Sequence, residues 1–547
     1  MAKIDRVKNL AAFAGAAQAN ERTRFGMESQ SDDLDSQITP EWLRGWGIVG
    51  VNDAPTMQDF NALGYTLSQL LAYLHQMGVA EWDDGQEYYT GAVCVHAGKA
   101  WQATQDNHGK QPTDGSPYWV RLLVAGDAAG IAPRTTDITV TVGAGGDYLT
   151  INAALEDLSA KYYPAYIAGG FTATVQLLSG FLMAEQVVVK GVDLGWITIT
   201  AIDPVTTIDT AGLVDEYPVG AGVKAAFSGL SGAVLPNIGV LFAMGAAGAD
   251  DYPGILLYEH ARAIVLPGAG VKDAKGSGMM IVNGSSAIAD NAIFSGASGH
   301  GISLDNGRVW ASEADCSNAG KDGILAENGS NAVIDKCDCS HAGINGIVAQ
   351  GRSTVQASEA DCSNAGKVGI YANDASIIAA NKATCEGCAE WGVLAKGAST
   401  INCPEVDARN CGGPGVAGGI GAFAGSTINA EDADCSGCLG TNTIDALGSK
   451  IIADGADLSR DLMVPGRAVS ASQGSDVSIQ GSDCQGSYGD AVIAASGSRI
   501  NAQGADCSGA GGYGIVVFGG STVNAQLSTG TTSETPNTLT AEGIIFR

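Results

Sequence analysis

Between residues 291 and 525, small and branched apolar residues alternate with polar ones in short runs, each closed by Gly, Asn, Asp or Ser. From Ser498 to Val517 the apolar positions are Ile500 and Ala502, then Ala505 and Cys507, then Ile515 and Val517. An apolar residue at every second position marks a strand with one covered face, so the unit predicts three short strands. The unit recurs. Cys316, Cys339, Cys362, Cys385, Cys411, Cys435, Leu458, Cys484 and Cys507 are separated by 23, 23, 23, 26, 24, 23, 26 and 23 residues. Eight residues after most of them stands a β-branched residue preceded by Gly, as in Gly323-Ile324, Gly346-Ile347, Gly369-Ile370, Gly392-Val393 and Gly514-Ile515. Six residues further comes Ser330, Ser353, Ser376, Ser399 or Ser521. Three strands per turn, stacked rung on rung at about 4.8 Å, predict a mainly β chain folded as a right-handed parallel β-helix. A helical repeat would need apolar residues at spacings of three and four and few glycines.

Two other patterns precede the repeat. Residues 1 to 20 carry Ile4, Val7, Leu10, Ala14 and Ala17 at helical spacing. Thr56 and Asp59 form a capping box, after which Phe60, Leu63, Leu67, Leu70, Leu74 and Met77 alternate at three and four until Gly78. This is a heptad seam that either joins subunits or lies on one face of a globular helix. Thr139 to Leu158 reads as a strand, a glycine turn and a helix with Leu149, Ala153 and Leu158 on one face. The organisation expected is a helical attachment and oligomerisation region (1–80), a small aromatic module (81–123), a linker with a capping helix (124–160), irregular rungs (161–290), regular rungs (291–525) and a tail (526–547).

Composition narrows the function classes. The 547 residues include 77 Gly but only 6% aromatics, which suits a narrow core of small side chains. The formal charge of -29 repels nucleic acid and anionic lipid, so neither is an expected partner. No run reaches the eighteen or so apolar residues of a membrane span, and Lys3 to Ala19 reads better as an amphipathic helix than as a signal peptide. Twelve of the 13 cysteines lie beyond residue 315 and follow the repeat, as inward thiols filling a column of constant width. Cys385-Glu-Gly-Cys388 and Cys435-Ser-Gly-Cys438 imitate metal knuckles without a His pair, so neither a metal nor a cofactor is expected.

Asp315, Asp338, Asp361, Asp434, Asp457, Asp483 and Asp506 precede the inward column and predict an outward acidic ladder, joined on some rungs by Glu313, Glu359 and Glu431. Turn capping, cation binding and catalysis are its three readings. Catalysis fits least, because a catalytic pair breaks a pattern once and this one recurs. His260, His300 and His341 lack a motif context, and no catalytic residue is assigned. Breaks in the period mark loops. One is expected between Ser399 and Cys411, carrying Pro404, Glu405 and Arg409, and another between Leu458 and Val469. The second holds Arg460, Leu462, Met463 and Arg467, which either contact a receptor or pack on a neighbouring subunit.

Two resemblances add to this. Residues 82 to 119, with Trp82, Tyr88, Trp101 and Trp119, resemble small chitin-type carbohydrate-binding modules, which implies rings stacked on sugars; the alternative is that the same rings are the module's core. The segment from Thr139 resembles the capped start of pectin-lyase-like β-helices. The run Met1-Ala-Lys-Ile-Asp-Arg-Val-Lys-Asn-Leu10, with Arg44 to Asn52 and Leu70 to Gly78, looks like the attachment region of tailed-bacteriophage tail fibres and tailspikes, and residues 175 to 200 are similar to the start of their shafts. That resemblance implies a homotrimer assembled in the host cytoplasm, bound to virion tail or baseplate proteins by its N-terminal region and to a bacterial surface glycan by its β-helix. The main reading is therefore glycan-binding host attachment, and the alternative a polysaccharide depolymerase on the same fold.

Overall fold

The computed structural model describes residues 12–48, 54–113, 116–122, 136–162, 171–213, 224–245, 252–413, 418–461, 463–537 and 540–547. The chain divides into two compact units, Met1–Ala132 and Pro133–Arg547.

In the first unit, Ile4, Val7 and Leu10 of the expected first helix lie outside the described residues. Residues 12–20 form turns instead of helix, with Ala14 at φ 55° and Asn20 at φ 69°. A short helix, α1 (Pro40–Arg44), is capped by Thr39. The long helix α2 (Met57–Met77) has both halves of its capping box in place and ends at Gly78, where φ is 74°. One face of α2 buries Ala62, Tyr65, Thr66 and Ala72, and the preceding segment lies along that side. Gln58 and Asn61 donate to the Asn20 and Glu21 carbonyls, and the Tyr65 hydroxyl donates to the Asp32 carbonyl. Residues beyond α2 form a three-stranded antiparallel sheet of Val93–His96, Lys99–Ala103 and Trp119–Leu122, with a small two-stranded ribbon beside it.

The second unit is a right-handed parallel β-helix. Helix α3 (Ile151–Lys161) follows its first strand, Ile138–Val142, and buries Ile151, Ala154, Leu155 and Leu158. The expected face is thus shifted: Leu149 lies before the Thr150 cap and is exposed. Among the described residues, one sheet runs through 14 strands from Val187–Lys190 to Ile515–Val517, and a second through 13 from Arg262–Ile264 to Gly543–Phe546. The third face begins as four true strands and continues beyond Gly270–Lys272 as single bridges, Ile293 to Asp315 to Asp338 to Asp361 and on to Thr529. The three-strand rung is therefore complete near the start and contracts on that face to one paired residue.

Register corrects one member of the inward column. Asp361, Thr384, Asp407 and Asp434 pair in sequence, so the residue between Cys385 and Cys435 in that column is Ala408. Cys411 sits three residues later, in a second inward column, where its carbonyl accepts the Leu439 amide and the neighbouring Gly412 amide donates to the Cys388 carbonyl. The spacings become 23 and 27, and the insertion moves out of the segment with Pro404, Glu405 and Arg409 to the stretch between Cys411 and Ile420, of which 414–417 lie outside the described residues. All 13 cysteines are free and buried, and burial holds the Cys403 thiol up at about 12. They pack as small hydrophobes.

Two further repeats acquire physical causes. A Cβ on Gly346 would lie 2.6 Å from Cys362 Cβ and 2.6 Å from the Gly369 carbonyl, and Gly323, Gly369 and Gly392 are confined in the same way. The Gly before each branched residue thus makes room for the column of the next rung. The recurring serines are buried, and each Oγ accepts the backbone N–H of the serine one rung earlier, at 3.1–3.3 Å from Ser330 through Ser353, Ser376, Ser399, Ser426, Ser449, Ser475 and Ser498 to Ser521. Ser353, Ser426, Ser475, Ser498 and Ser521 also donate to a carbonyl three residues back.

Two substitutions check this account in chemical denaturation. Ser376→Ala strips the acceptor from the buried Ser353 amide and is expected to cost about 1–3 kcal/mol. Cys362→Asp, which buries a carboxyl between rungs, is expected to cost more, and Cys362→Ala roughly 1 kcal/mol. Wild-type midpoints for both Ser376→Ala and Cys362→Asp would show that neither column bears on the shaft.

Candidate functional site

An open groove of about 750 Å³ lies on the second unit near the start of the 13-stranded sheet. Its floor is set by strand alternation. In Arg262–Ile264, Ser286–Ile288 and Arg308–Trp310 the central residues Ala263, Ala287 and Val309 point into the core, so their neighbours face out. Register aligns Arg262, Ser286 and Arg308 in one column and Ile264, Ile288 and Trp310 in another. Ile264, Ile288 and Trp310 are 37%, 45% and 43% exposed. Asp193, Gly195, Trp196 and Val234 contribute one wall, and His260 and Gly284 also line the groove. A Cβ on Gly284 would lie 2.6 Å from the His260 ring, so this glycine leaves the imidazole its place. Asp193 is fixed by accepting the Gly195 amide at 2.9 Å, while its carbonyl accepts the Trp196 indole N–H at 3.0 Å.

The groove presents two guanidinium groups and one carboxylate. Both arginines are exposed, and among the described residues neither forms an ion pair. With an indole and two aliphatic side chains beside them, they make a surface suited to hold a flat, polar, extended ligand. The sequence reading divides this segment between the irregular rungs (161–290) and the first of the regular ones (291–525) and assigns it no role. The signal was present: Arg262, Ser286 and Arg308 are spaced by 24 and 22 residues, and a Trp stands at an outward strand position.

The residues expected to act lie elsewhere. In the small module, Tyr88, Trp101 and Trp119 are the core, not a sugar-stacking face. Tyr88 and Trp119 meet edge to face at 5.1 Å, and the two indoles donate to the His96 and Lys110 carbonyls. About forty residues have few other groups to bury. Trp82 packs partly buried against this core and meets His96 at 5.2 Å, which leaves Tyr89 as the exposed ring. The seam of α2 does face outward: Phe60, Leu67, Leu70 and Leu74 are exposed and Leu63 is half-buried, on the side opposite Ala62 and Tyr65.

In the later loop, Leu462 lies outside the described residues. Arg460 is only 7% exposed and donates to Thr443 Oγ1 at 3.0 Å and the Gly440 carbonyl at 2.5 Å, so it fastens the loop to the rung before it instead of reaching a receptor. Desolvation lowers its affinity for the proton, the mark of a cation held inside. Met463 is 83% exposed, and Arg467 lines a smaller cleft with Tyr488 and Pro465.

The acidic ladder caps turns. Asp315, Asp338, Asp361, Asp407, Asp434, Asp457, Asp483 and Asp506 each accept, through Oδ1, the amide two residues on at 2.9–3.2 Å. Arg409 bridges Asp407 at 2.7 Å, Glu386 at 3.4 Å and Asp434 at 3.6 Å, and these carboxylates raise its pKa further. Beside the ladder the charges alternate, with Lys336 near Glu359 at 3.8 Å and Lys382 near Glu405 at 3.3 Å. His300 leans on Asp322 at 3.2 Å and His341 occupies a left-handed turn, both away from the groove lining.

The family model described as "Right handed beta helix region" matches residues 254–411. No curated protein matches the chain in sequence. Among solved structures, the chain is similar to the Dettilon tailspike protein (gp208), with 15% identity, a TM-score of 0.30, and coverage of 69% of this chain and 62% of that one. It is also similar to the catalytic domain of a GH87 α-1,3-glucanase in complex with nigerose, with 10% identity, a TM-score of 0.22, and coverage of 81% and 70%. These likenesses concern the fold.

The inward role of Arg460 gives a thermal-melting test. Arg460→Ala leaves the Gly440 carbonyl and Thr443 hydroxyl without their cation and is expected to destabilise by roughly 2 kcal/mol. Arg467→Ser, at the surface, is expected to change stability by under about 0.5 kcal/mol. Equal effects of the two substitutions would contradict the assignment.

Proposed function

We propose that the chain is a structural subunit of a phage tail fibre or tailspike that attaches the virion to a host by holding envelope glycan in the Arg262–Trp310 groove. The observation that carries this reading is the groove itself: an exposed indole and two aliphatic side chains, flanked by hydrogen-bond donors, on the face of a rigid solenoid. Sugars offer apolar C–H faces to such rings and hydroxyl or acidic groups to such donors. The attachment-region resemblance of the first unit supports a place in the virion tail, with tail or baseplate proteins as partners and assembly in the host cytoplasm. Hydrolysis of a glycosidic bond ordinarily uses two carboxyl groups. The lining contributes one, Asp193, among the described residues, which favours holding a glycan over cutting it.

The outward seam of α2 supports a homotrimer, since an apolar stripe at heptad spacing is covered when helices of several copies wind together. Light scattering on the intact protein is expected to give a trimer at micromolar concentration, and Leu67→Glu with Leu74→Glu to dissociate it; a clean wild-type monomer overturns this part. For the groove, Trp310→Ala is expected to reduce adsorption to host cells by about tenfold or more with the melting temperature unchanged. Undiminished adsorption by that variant removes the groove from the account, and new reducing ends released from host polysaccharide replace attachment by depolymerisation.

A further inference from the structure

The two columns of the groove constrain what a ligand must look like. Arg262 and Arg308 occupy the same outward column with Ser286 between them, so their backbones are two rungs apart, roughly 9.5 Å at the spacing of stacked strands. The Ile264, Ile288 and Trp310 column runs parallel to it two residues along each strand, about 6.6 Å away. The cationic column and the apolar column therefore both follow the solenoid axis, across the strands. A ligand that uses both is extended, lies along that axis, turns an apolar face to one side and carries negative groups on the other. The charges must recur at the two-rung interval, a span that two linked pyranose rings cover.

We infer that the groove takes a linear acidic glycan, with a carboxylate or phosphate on alternate sugars, and that Arg262 and Arg308 each receive one of these groups. The inference rests on the glycan reading above and specifies its substrate class. Guanidinium groups pair with carboxylate and phosphate through two parallel N–H donors, which gives both attraction and direction. Against a chain of net charge -29 these two cations supply local attraction where the whole molecule supplies repulsion. Asp193 adds the opposite sign on the wall, where it disfavours an anion placed off the arginine column. The next five positions of the same outward column, Asn331, Thr354, Ile377, Thr400 and Thr427, carry no cation, and the column's later ones, Lys450 and Arg499, flank Asp476, so the pair of arginines beside the apolar column belongs to the groove.

The test uses the full chain and a panel of purified bacterial capsular polysaccharides and O-antigens, half neutral and half bearing uronate or phosphate, with each uronate polymer also tested after reduction of its carboxyls to alcohols. Calorimetry is expected to show binding within the acidic half, its loss on carboxyl reduction, and at least a roughly tenfold weakening in Arg262→Ser/Arg308→Ser. Both positions are exposed, and an unchanged melting temperature and oligomeric state verify that the double variant folds. Lys396→Ser, a cation outside the groove, is expected to bind as wild type. Equal affinity for neutral and carboxyl-reduced chains, or full affinity in the arginine double variant, overturns the acidic-ligand inference and leaves glycan binding standing. Binding to no polysaccharide of the panel overturns the glycan reading, and the inference with it.

Discussion

Every rung of this solenoid depends on its neighbours for hydrogen bonds that it cannot make itself. On the flat faces parallel strands exchange them in the ordinary way, but at a corner the chain turns and its amides are buried without a strand opposite. The serine ladder answers that constraint. Each buried Oγ takes the amide of the serine one rung before, and several return a bond to the carbonyl three residues back. An orphaned buried amide costs more than a single hydrogen bond contributes. A corner that lacked the hydroxyl on one rung would fail there, so the serine recurs wherever the corner does.

The same dependence links the other columns. A glycine on one rung and a thiol on the next share a space too small for two side chains, as at Gly346 and Cys362. The aspartates close the turn before the thiol column, and their outward carboxylates would repel along the ladder without Arg409 across three rungs and the Lys336–Glu359 and Lys382–Glu405 pairs beside it. Such exposed pairs add little stability each. Their effect is to let an acidic stack exist without a run of like charge on every column.

These constraints decide what the sequence reveals. Inward and corner positions repeat because each rung poses the same packing and hydrogen-bonding problem, so the β-helix, its period and its thiol core were all legible. The register slip at Cys411 has a specific cause: Ala408 fills the column, and a cysteine three residues later imitates the missing member. Arg460 was misread because an insertion with two arginines looks exposed, whereas Gly466 leaves the space that its guanidinium occupies. The aromatic module failed for a different reason. Trp101 and Trp119 are as compatible with a core as with a sugar platform, and only the antiparallel sheet around them decides.

Outward positions are free of the rung's constraints, which is why the groove left so faint a trace. Farther along the shaft some outward side chains use that freedom to pair with one another. Asn429 donates to Asn402, and Asn524 to Asn501, each at 2.9 Å. A face whose polar groups are already paired gains little from a ligand. Near the start of the same sheet the outward residues cannot pair among themselves: Arg262 and Arg308 carry like charges, and Ile264, Ile288 and Trp310 have no polar atoms to share except one indole N–H. Water solvates the two guanidinium groups, but the apolar area stays open, and the rigid stack beneath prevents the strands from folding over to cover it. Under the proposed function a bound glycan covers that area, and the rung spacing sets how far apart its anionic groups must be.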